Sequence, residues 1–175
     1  LEASTEDIPV HFRGGAVLPM FAPGAMSVAE ARASAVSLVA VLDRPLAENS
    51  TGTLRAAAPS RAEGSIYLDD GEEPDLENAK ATEVFFSLSA DASGGVLLAT
   101  VVRADNLEAS KLPYSSLTVV GVPTVAAVEV NGVPLDEASW SHRDGTLQVS
   151  CDVCRVSLGQ ALLLAWSSEI AQATH

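Results

Sequence analysis

A period-two alternation of apolar and polar residues constrains the fold more than any other feature of this 175-residue chain. Successive side chains of a strand point to opposite faces of a sheet, so each alternating run predicts a half-buried β-strand. From residue 64 onward we find seven such runs, about a dozen residues apart. They are GSIYLDD, TEVFFSLSAD, GVLLATVVRAD, YSSLTVVGV, AAVEVNGVPL, SWSHRDGTLQVSC and RVSLGQALLLAWS. Strands at this spacing predict an all-β fold, an antiparallel β-sandwich.

Two dipeptides predict tight hairpins between these strands. Asn131-Gly132 lies in VNGV, and a type I′ turn needs positive φ at both central residues, which Asn and Gly tolerate. Asp144-Gly145 in RDGT repeats the pattern less cleanly.

The first third of the chain is less regular. Residues 8–20 predict a strand, a tight turn at Gly14-Gly15 and a second strand. Ser27 and Glu30 have capping-box spacing, so we expect at most one short helix, near residues 27–34, before a buried strand at 36–43. Residues 44–62 predict a surface loop, and the NST motif makes Asn49 a candidate glycosylation site.

The charge of the chain excludes some partners. Ten Lys and Arg residues oppose 23 Asp and Glu residues, and the resulting net charge of −13 repels nucleic acid. The longest apolar runs, such as ALLLAW at 161–166, are too short to span a bilayer. No motif indicates a cofactor, so none is expected.

Cys151 and Cys154 form a C-x-x-C motif. On a continuous strand, residues three apart point to opposite faces, which predicts two unpaired structural thiols; a strained or regulatory disulfide is the alternative. His11, His142 and His175 lack paired spacing, so no metal site is expected.

An acidic cluster is the obvious place to look for catalysis. Charges crowded in a loop that contains Gly and Pro predict a solvated turn. An ion site and a catalytic carboxylate pair are the alternatives. The members of the cluster are Asp69, Asp70, Glu72, Glu73, Asp75 and Glu77. Arg13 is interpreted either as an anion or substrate contact, or as a structural residue that clamps turn carbonyls or pairs with a carboxylate. Trp166 is expected in the core, whereas Trp140, flanked by Ser and His, is the better candidate for exposure.

Two stretches carry a family resemblance. IPVHFRGGAVLPM, then an EAR segment, a strand ending in LD and GSIYLDDGEE resemble the C-terminal region of the α-glucosidases of glycoside hydrolase family 31. The later strands resemble that family less specifically. The resemblance implies structural signature roles for two sets of residues: Arg13, Gly14, Gly15 and Pro19, and then Tyr67, Asp69, Asp70 and Gly71.

The resemblance also implies how the chain is organised. Residues 1–35 would end a proximal β domain, 36–170 would form the distal β-sandwich and 171–175 a tail. The family's catalytic aspartates lie in a preceding (β/α)₈ barrel whose signature is absent here, so no catalytic residue is assigned and we expect a non-catalytic part of an α-glucosidase that stabilises or caps the catalytic domain.

That barrel, removed upstream or held as a separately processed chain, is the expected partner. It would cover an unpaired strand edge and exposed apolar surface. We expect a location in the secretory pathway, the lysosome or vacuole, or outside the cell. Two alternatives stay open: an independent carbohydrate-binding or adhesion module, and a sandwich with no ligand.

Overall fold

The computed structural model describes residues 10–44, 59–71, 79–152 and 154–168. Eleven strands of these residues form one mixed sheet, in the order β8-β7-β11-β5-β4-β3-β1-β2-β6-β10-β9. The strands are β1 (Ala16–Phe21), β2 (Val36–Val41), β3 (Ser60–Asp69), β4 (Ala81–Asp91), β5 (Gly94–Ala104), β6 (Tyr114–Val120), β7 (Ala127–Val130), β8 (Val133–Pro134), β9 (Trp140–Arg143), β10 (Thr146–Ser150) and β11 (Leu162–Ser167). The helices are α1 (Val28–Arg32), α2 (Leu107–Ser110) and a 3₁₀ helix (Glu137–Ser139).

The predicted all-β class is confirmed, with two differences in detail. The sheet is mixed, because β2 runs parallel to β6 and β1 runs parallel to β3 at the pair Ala16 and Glu63. The expectation of at most one helix is exceeded by α2. Its four residues are too few for a helical period, and Asn106 caps it by accepting a hydrogen bond from the Ala109 backbone N–H at 3.2 Å.

The core follows the alternation of the sequence. On β4, Val84, Phe86 and Leu88 are buried while Phe85 between them is exposed. One apolar cluster contains buried side chains from strands near both ends of the sheet order, for example Leu147 of β10 and Leu164 of β11. The sheet therefore curls so that its two halves share one core.

Both predicted hairpin turns have the required backbone. Asn131 and Gly132 have φ values of 50° and 75° between β7 and β8. Asp144 and Gly145 have φ values of 50° and 71° between β9 and β10. Because only residues that tolerate positive φ fit these positions, the turn chemistry sets where the strands reverse.

Helix α1 begins where the capping pattern predicted. The Glu30 backbone N–H donates to Ser27 Oγ at 3.2 Å. The Glu30 carboxylate reaches one residue further back than a standard capping box, accepting from the Met26 N–H at 2.7 Å. The Arg32 side chain leaves the last turn of the helix toward β3.

The loop prediction over residues 44–62 extends too far. Strand β3 already begins at Ser60, where Ser60 and Ala62 are buried and Arg61 between them is exposed. Small residues hid this alternation in the sequence. Asn49 lies outside the described residues, so its glycosylation stays a prediction.

Strand β1, near the start of the described chain, is not an edge of the sheet. It lies between β3 and β2, and it pairs with β2 from Ala16 to Phe21. The edges of the described sheet are instead β8 and β9. Division into domains at residue 35 stays a prediction. Neither described α-helix has the length to cross a membrane.

Candidate functional site

The first signature stretch forms the turn into β1. Gly15 has a φ of 84°, donates its N–H to the Val41 carbonyl at 2.8 Å and accepts from the Glu63 N–H at 3.1 Å. A side chain at Gly14 would meet the Leu42 carbonyl oxygen at 3.0 Å. Gly15 thereby links β2 and β3, while Arg13 just before it is exposed and Pro19 lies within β1.

The second signature stretch closes β3 against α1. The Arg32 guanidinium donates to the Asp69 backbone carbonyl and, at 2.7 Å, to Asp69 Oδ1. The Asp70 N–H donates to the Lys80 carbonyl at 3.1 Å, and Gly71 has a φ of 71°. Tyr67 is exposed opposite Glu83 of β4. Asp69 and Asp70 therefore take part in contacts that join α1, the end of β3 and the residue before β4.

An open basin of about 560 Å³ lies between α1, α2 and the end of β3. Asp69, Asp70 and Glu108 line it together with Arg32 and Asn106. The Asn106 amide donates to the Leu68 carbonyl at 3.3 Å, so this polar group is also used to hold the backbone. The remaining predicted acids, at positions 72, 73, 75 and 77, lie outside the described residues. The structural role of the signature residues stays a prediction.

Asp43, just after β2, is an acid that the sequence reasoning did not single out. Its Oδ1 accepts from Ser60 Oγ at 2.5 Å and from the Arg61 N–H at 3.0 Å. These bonds, the Ser60 bond first, hold the pKa of Asp43 below its ordinary value. No motif signals this clamp, because its partners lie 17 and 18 residues away.

A second groove, of about 380 Å³, runs over β6, β9 and β10. Trp140 is partly buried at its wall, beside hydroxyl-bearing and amide side chains that include Ser116, Thr118 and Gln148. Trp166, by contrast, is buried in the core, as predicted. An indole beside hydroxyls and an amide is chemistry that suits a sugar.

The prediction that Cys151 and Cys154 point to opposite faces is wrong. Strand β10 ends at Ser150, and the Cys154 N–H then donates to the Cys151 carbonyl at 3.0 Å, which closes a turn. The two sulfur atoms lie 3.0 Å apart, and both residues are free thiols. The strand prediction ran on through this turn because Leu147, Val149 and Cys151, at every second position, are all buried and give no sign that a turn follows.

Within the described ranges, no group of three or more His, Cys, Asp and Glu side chains is arranged to hold a metal ion. The His142 Nε2 atom lies 2.7 Å from the Val122 carbonyl oxygen, which ties β9 to the segment after β6. His11 is exposed, and His175 lies outside the described residues.

Comparison with known sequences finds carbohydrate-active enzymes. The chain is 27% identical over 169 residues to mouse (Mus musculus) lysosomal alpha-glucosidase, which covers 95% of this chain and 15% of that protein. It is 33% identical over 125 residues to glucoamylase 1 of Schwanniomyces occidentalis, covering 70% and 10% respectively. It is 32% identical over 143 residues to the alpha-glucosidase of Schizosaccharomyces pombe, covering 81% and 12%. The chain thus spans a small part of each relative. No family model matches it.

Solved structures share the fold. A GH31 dextranase of Flavobacterium johnsoniae superposes with a TM-score of 0.55 at 13% identity, covering 87% of this chain and 19% of that one. The alpha-1,4-glucan lyase of Gracilariopsis lemaneiformis superposes with a TM-score of 0.54 at 14% identity, covering 88% and 16%. Both the sequence matches and the structural matches cover more than two thirds of this chain. The chain is related to the C-terminal region of the α-glucosidases of glycoside hydrolase family 31.

Proposed function

We propose that this chain is a non-catalytic β-sandwich part of an α-glucosidase, which stabilises or caps a catalytic (β/α)₈ barrel carried elsewhere in the enzyme. The observation that carries the proposal is the extent of the similarity. It covers 95% of this chain but 15% of the mouse α-glucosidase, too short a stretch to include a barrel of roughly 250 residues. Hydrolysis of terminal α-glucosidic bonds is then the work of the barrel.

The contacts at the end of β3 support a scaffolding role. A pair of glycosidase carboxylates must flank the scissile bond of a sugar, one to donate a proton and one to attack or activate water. Here the Asp69 carboxylate is instead engaged by Arg32 at the base of α1. The proximal and distal domains, divided near residue 35, would be joined through β1 and β2, which are hydrogen-bonded along their length.

Exposed apolar side chains support a protein partner near the N-terminal part of the described chain. Of the twelve large apolar residues that are exposed in the described part, five lie between residues 10 and 28. Met26 is 91% exposed and Val28 is 74% exposed. We call this set the N-terminal apolar segment: Val10, Phe12, Met20, Met26 and Val28. Its burial against the barrel-containing portion would supply hydrophobic free energy of association.

The catalytic half of the proposal is tested by activity. The chain alone is expected to give no turnover of maltose or of a chromogenic α-glucoside. Adding the upstream portion of the same enzyme, expressed separately, should give an active complex with a higher melting temperature than that portion alone. Clear hydrolysis by the chain alone defeats the proposal.

The partner surface is tested by substitution. Phe12→Ser with Met26→Ser should weaken association with the upstream portion by about tenfold or more, because both side chains would lose apolar contact. Val102→Ser with Val133→Ser is the matched control, since these valines are similarly exposed on β5 and β8. Equal weakening by both pairs contradicts the assigned surface.

An independent carbohydrate-binding module is the second candidate, and the groove beside Trp140 is the observation that favours it. Calorimetric titration of the chain with α-glucan oligosaccharides tests this reading. Binding that is lost in Trp140→Ala supports the module, whereas absence of heat in both proteins removes it.

The relatives include lysosomal α-glucosidases, and we propose a secretory, lysosomal, vacuolar or extracellular location on that basis.

A further inference from the structure

The C-x-x-C motif takes no part in the contacts of the signature stretches, in the groove beside Trp140 or in the proposed function. The fold nevertheless places its two thiols together. Cys151 is 3% exposed and belongs to the apolar core, whereas Cys154 is only partly buried at its margin. Cys154 Sγ lies 3.0 Å from Cys151 Sγ and 3.8 Å from the Ser150 carbonyl oxygen. One sulfur is therefore shielded and the other accessible.

The turn holds the two cysteines at a spacing that a disulfide can bridge. A turn closed by a hydrogen bond from residue i+3 to residue i brings the two Cα atoms within about 7 Å, and disulfides join Cα atoms about 4.4 to 6.8 Å apart. The turn is anchored on both sides. Before it, the Cys151 N–H donates to the Ser115 carbonyl at 2.9 Å, and after it the Val156 carbonyl accepts from the Tyr114 N–H at 3.1 Å.

The electrostatics of the two thiols differ in a way that orders their reactivity. The hydrogen bond between the two sulfur atoms lowers the pKa of Cys154, against the effects of burial and of the nearby Asp152 charge. The same hydrogen bond and burial raise the pKa of Cys151. Because the thiolate is the attacking species, Cys154 is the first nucleophile and Cys151 the resolving thiol.

We propose that Cys151 and Cys154 form a dithiol modification site that is converted to an intramolecular disulfide by exchange with a low-molecular-weight disulfide such as oxidised glutathione. The Cys154 thiolate attacks one sulfur of glutathione disulfide, forming a mixed disulfide and releasing one glutathione thiolate. The Cys151 thiol loses its proton to solvent and attacks the Cys154 sulfur, releasing the second glutathione. The protein dithiol loses two hydrogens, and glutathione disulfide is reduced to two glutathione molecules.

The product would fasten the end of β10 to the segment that leads into β11. That segment already lies against the start of β6 through the bridge between Pro113 and Ser157. Among the described residues no third metal-ligating side chain joins the pair, which favours a disulfide over a metal thiolate as the product. The proposal is independent of whether the chain caps a barrel.

The test is a glutathione titration of the full chain. After equilibration in buffers of varied ratio of reduced to oxidised glutathione, free thiols are blocked with N-ethylmaleimide and the protein is digested with trypsin. Cleavage after Arg143 and Arg155 releases residues 144–155, which contain both cysteines. The expected product is this peptide without maleimide and two hydrogens lighter than its dithiol form.

The unfolded chain is the control that separates a folded site from a reactive motif. For half of the chain to be oxidised in urea, the ratio of oxidised to reduced glutathione should be about tenfold or more higher than for the folded chain. The reason is that the turn no longer holds the two thiols together. Half conversion at the same ratio in both states, or easier oxidation of the unfolded chain, overturns the proposal.

The order of attack is tested by single substitutions. Cys151→Ser should accumulate a glutathione mixed disulfide at Cys154, whereas Cys154→Ser should leave Cys151 unmodified in the folded protein. A brief pulse of limiting maleimide on the wild-type chain makes the same comparison if Cys151→Ser does not fold, and Cys154 should carry the first label. Faster labelling of Cys151 overturns the assigned order.

Discussion

Nη2 of Arg32 lies 2.7 Å from Oδ1 of Asp69, so a side chain from the last turn of α1 meets the last residue of β3. The same guanidinium also donates to the Asp69 carbonyl oxygen. Both side chains are about one-third exposed, at 36% and 30%. Solvent therefore screens the pair, and its energetic value is that of a partly exposed ion pair with an added backbone hydrogen bond.

A double-mutant cycle measures that pair. Arg32→Met and Asp69→Asn should each lower the free energy of unfolding, with a coupling energy of about 0.5 to 1 kcal/mol. Chemical denaturation of the wild type, both single variants and the double variant supplies the four values. The coupling should shrink at high ionic strength, because salt screens exposed charges. A coupling near zero at low salt would show that the contact contributes only to local geometry.

Gly64 is expected to tolerate no side chain. A Cβ atom there would overlap the Val17 backbone carbonyl and lie 3.2 Å from Val17 Cβ, because β1 and β3 approach closely at this point. Gly64→Ala should therefore cost about 3 kcal/mol or more, seen as a large loss of melting temperature. Gly24→Ala is the control: its space is open, and only its φ of 90° opposes alanine, at a cost of about 1 kcal/mol. Similar melting of Gly64→Ala and wild type would rule out the close approach.

Part of this fold was predictable because its signals are local. The alternation of apolar and polar residues predicted the strands, and the Asn131-Gly132 dipeptide predicted a turn. The structure has positive φ values at both residues, as that turn requires. The long-range arrangement has no such signal: β2 pairs in parallel with β6, which begins at Tyr114, far along the chain. The sequence predicted Gly64 as the first residue of a strand. It gave no sign that Gly64 must lack a side chain because the Val17 backbone approaches it closely. Local patterns report how a segment is buried, not which segment buries it.

The candidate sites show the same limit. The acids at the end of β3 were found from sequence, but their tie to Arg32 was not, because 37 residues separate the partners. The C-x-x-C pair was found and then placed on opposite faces, because the alternation of buried residues up to Cys151 gives no sign of the turn that Cys151 and Cys154 close. Arg155 has a φ of 48°, which is incompatible with a strand. Arginine is not a residue type that indicates positive φ, so the sequence did not predict this break.

Asp43 should make stability depend on pH. Its pKa is lowered by the Ser60 and Arg61 hydrogen bonds, so its contribution is fully present above the ordinary value of 3.8 and is lost as pH falls through the lower folded value. Asp43→Asn should be less stable than wild type at neutral pH, and the difference should shrink below about pH 4. Denaturation series across pH measure it. A stability difference that does not change across the pH series would contradict the lowered pKa of Asp43.

Tyr114→Phe should stabilise the protein, because the wild type buries a hydroxyl without compensation. Tyr114 is 2% exposed, and its Oη has no hydrogen-bond partner in the described part of the chain. Burial, and secondarily Cys151, raises the pKa of this phenol, so the hydroxyl stays neutral and its cost is that of a desolvated dipole. Removing it should raise the free energy of unfolding by about 0.5 to 1 kcal/mol, measured by denaturation. Tyr67→Phe, at an exposed position, should change stability little, and a loss in Tyr114→Phe would mean that the hydroxyl is bonded.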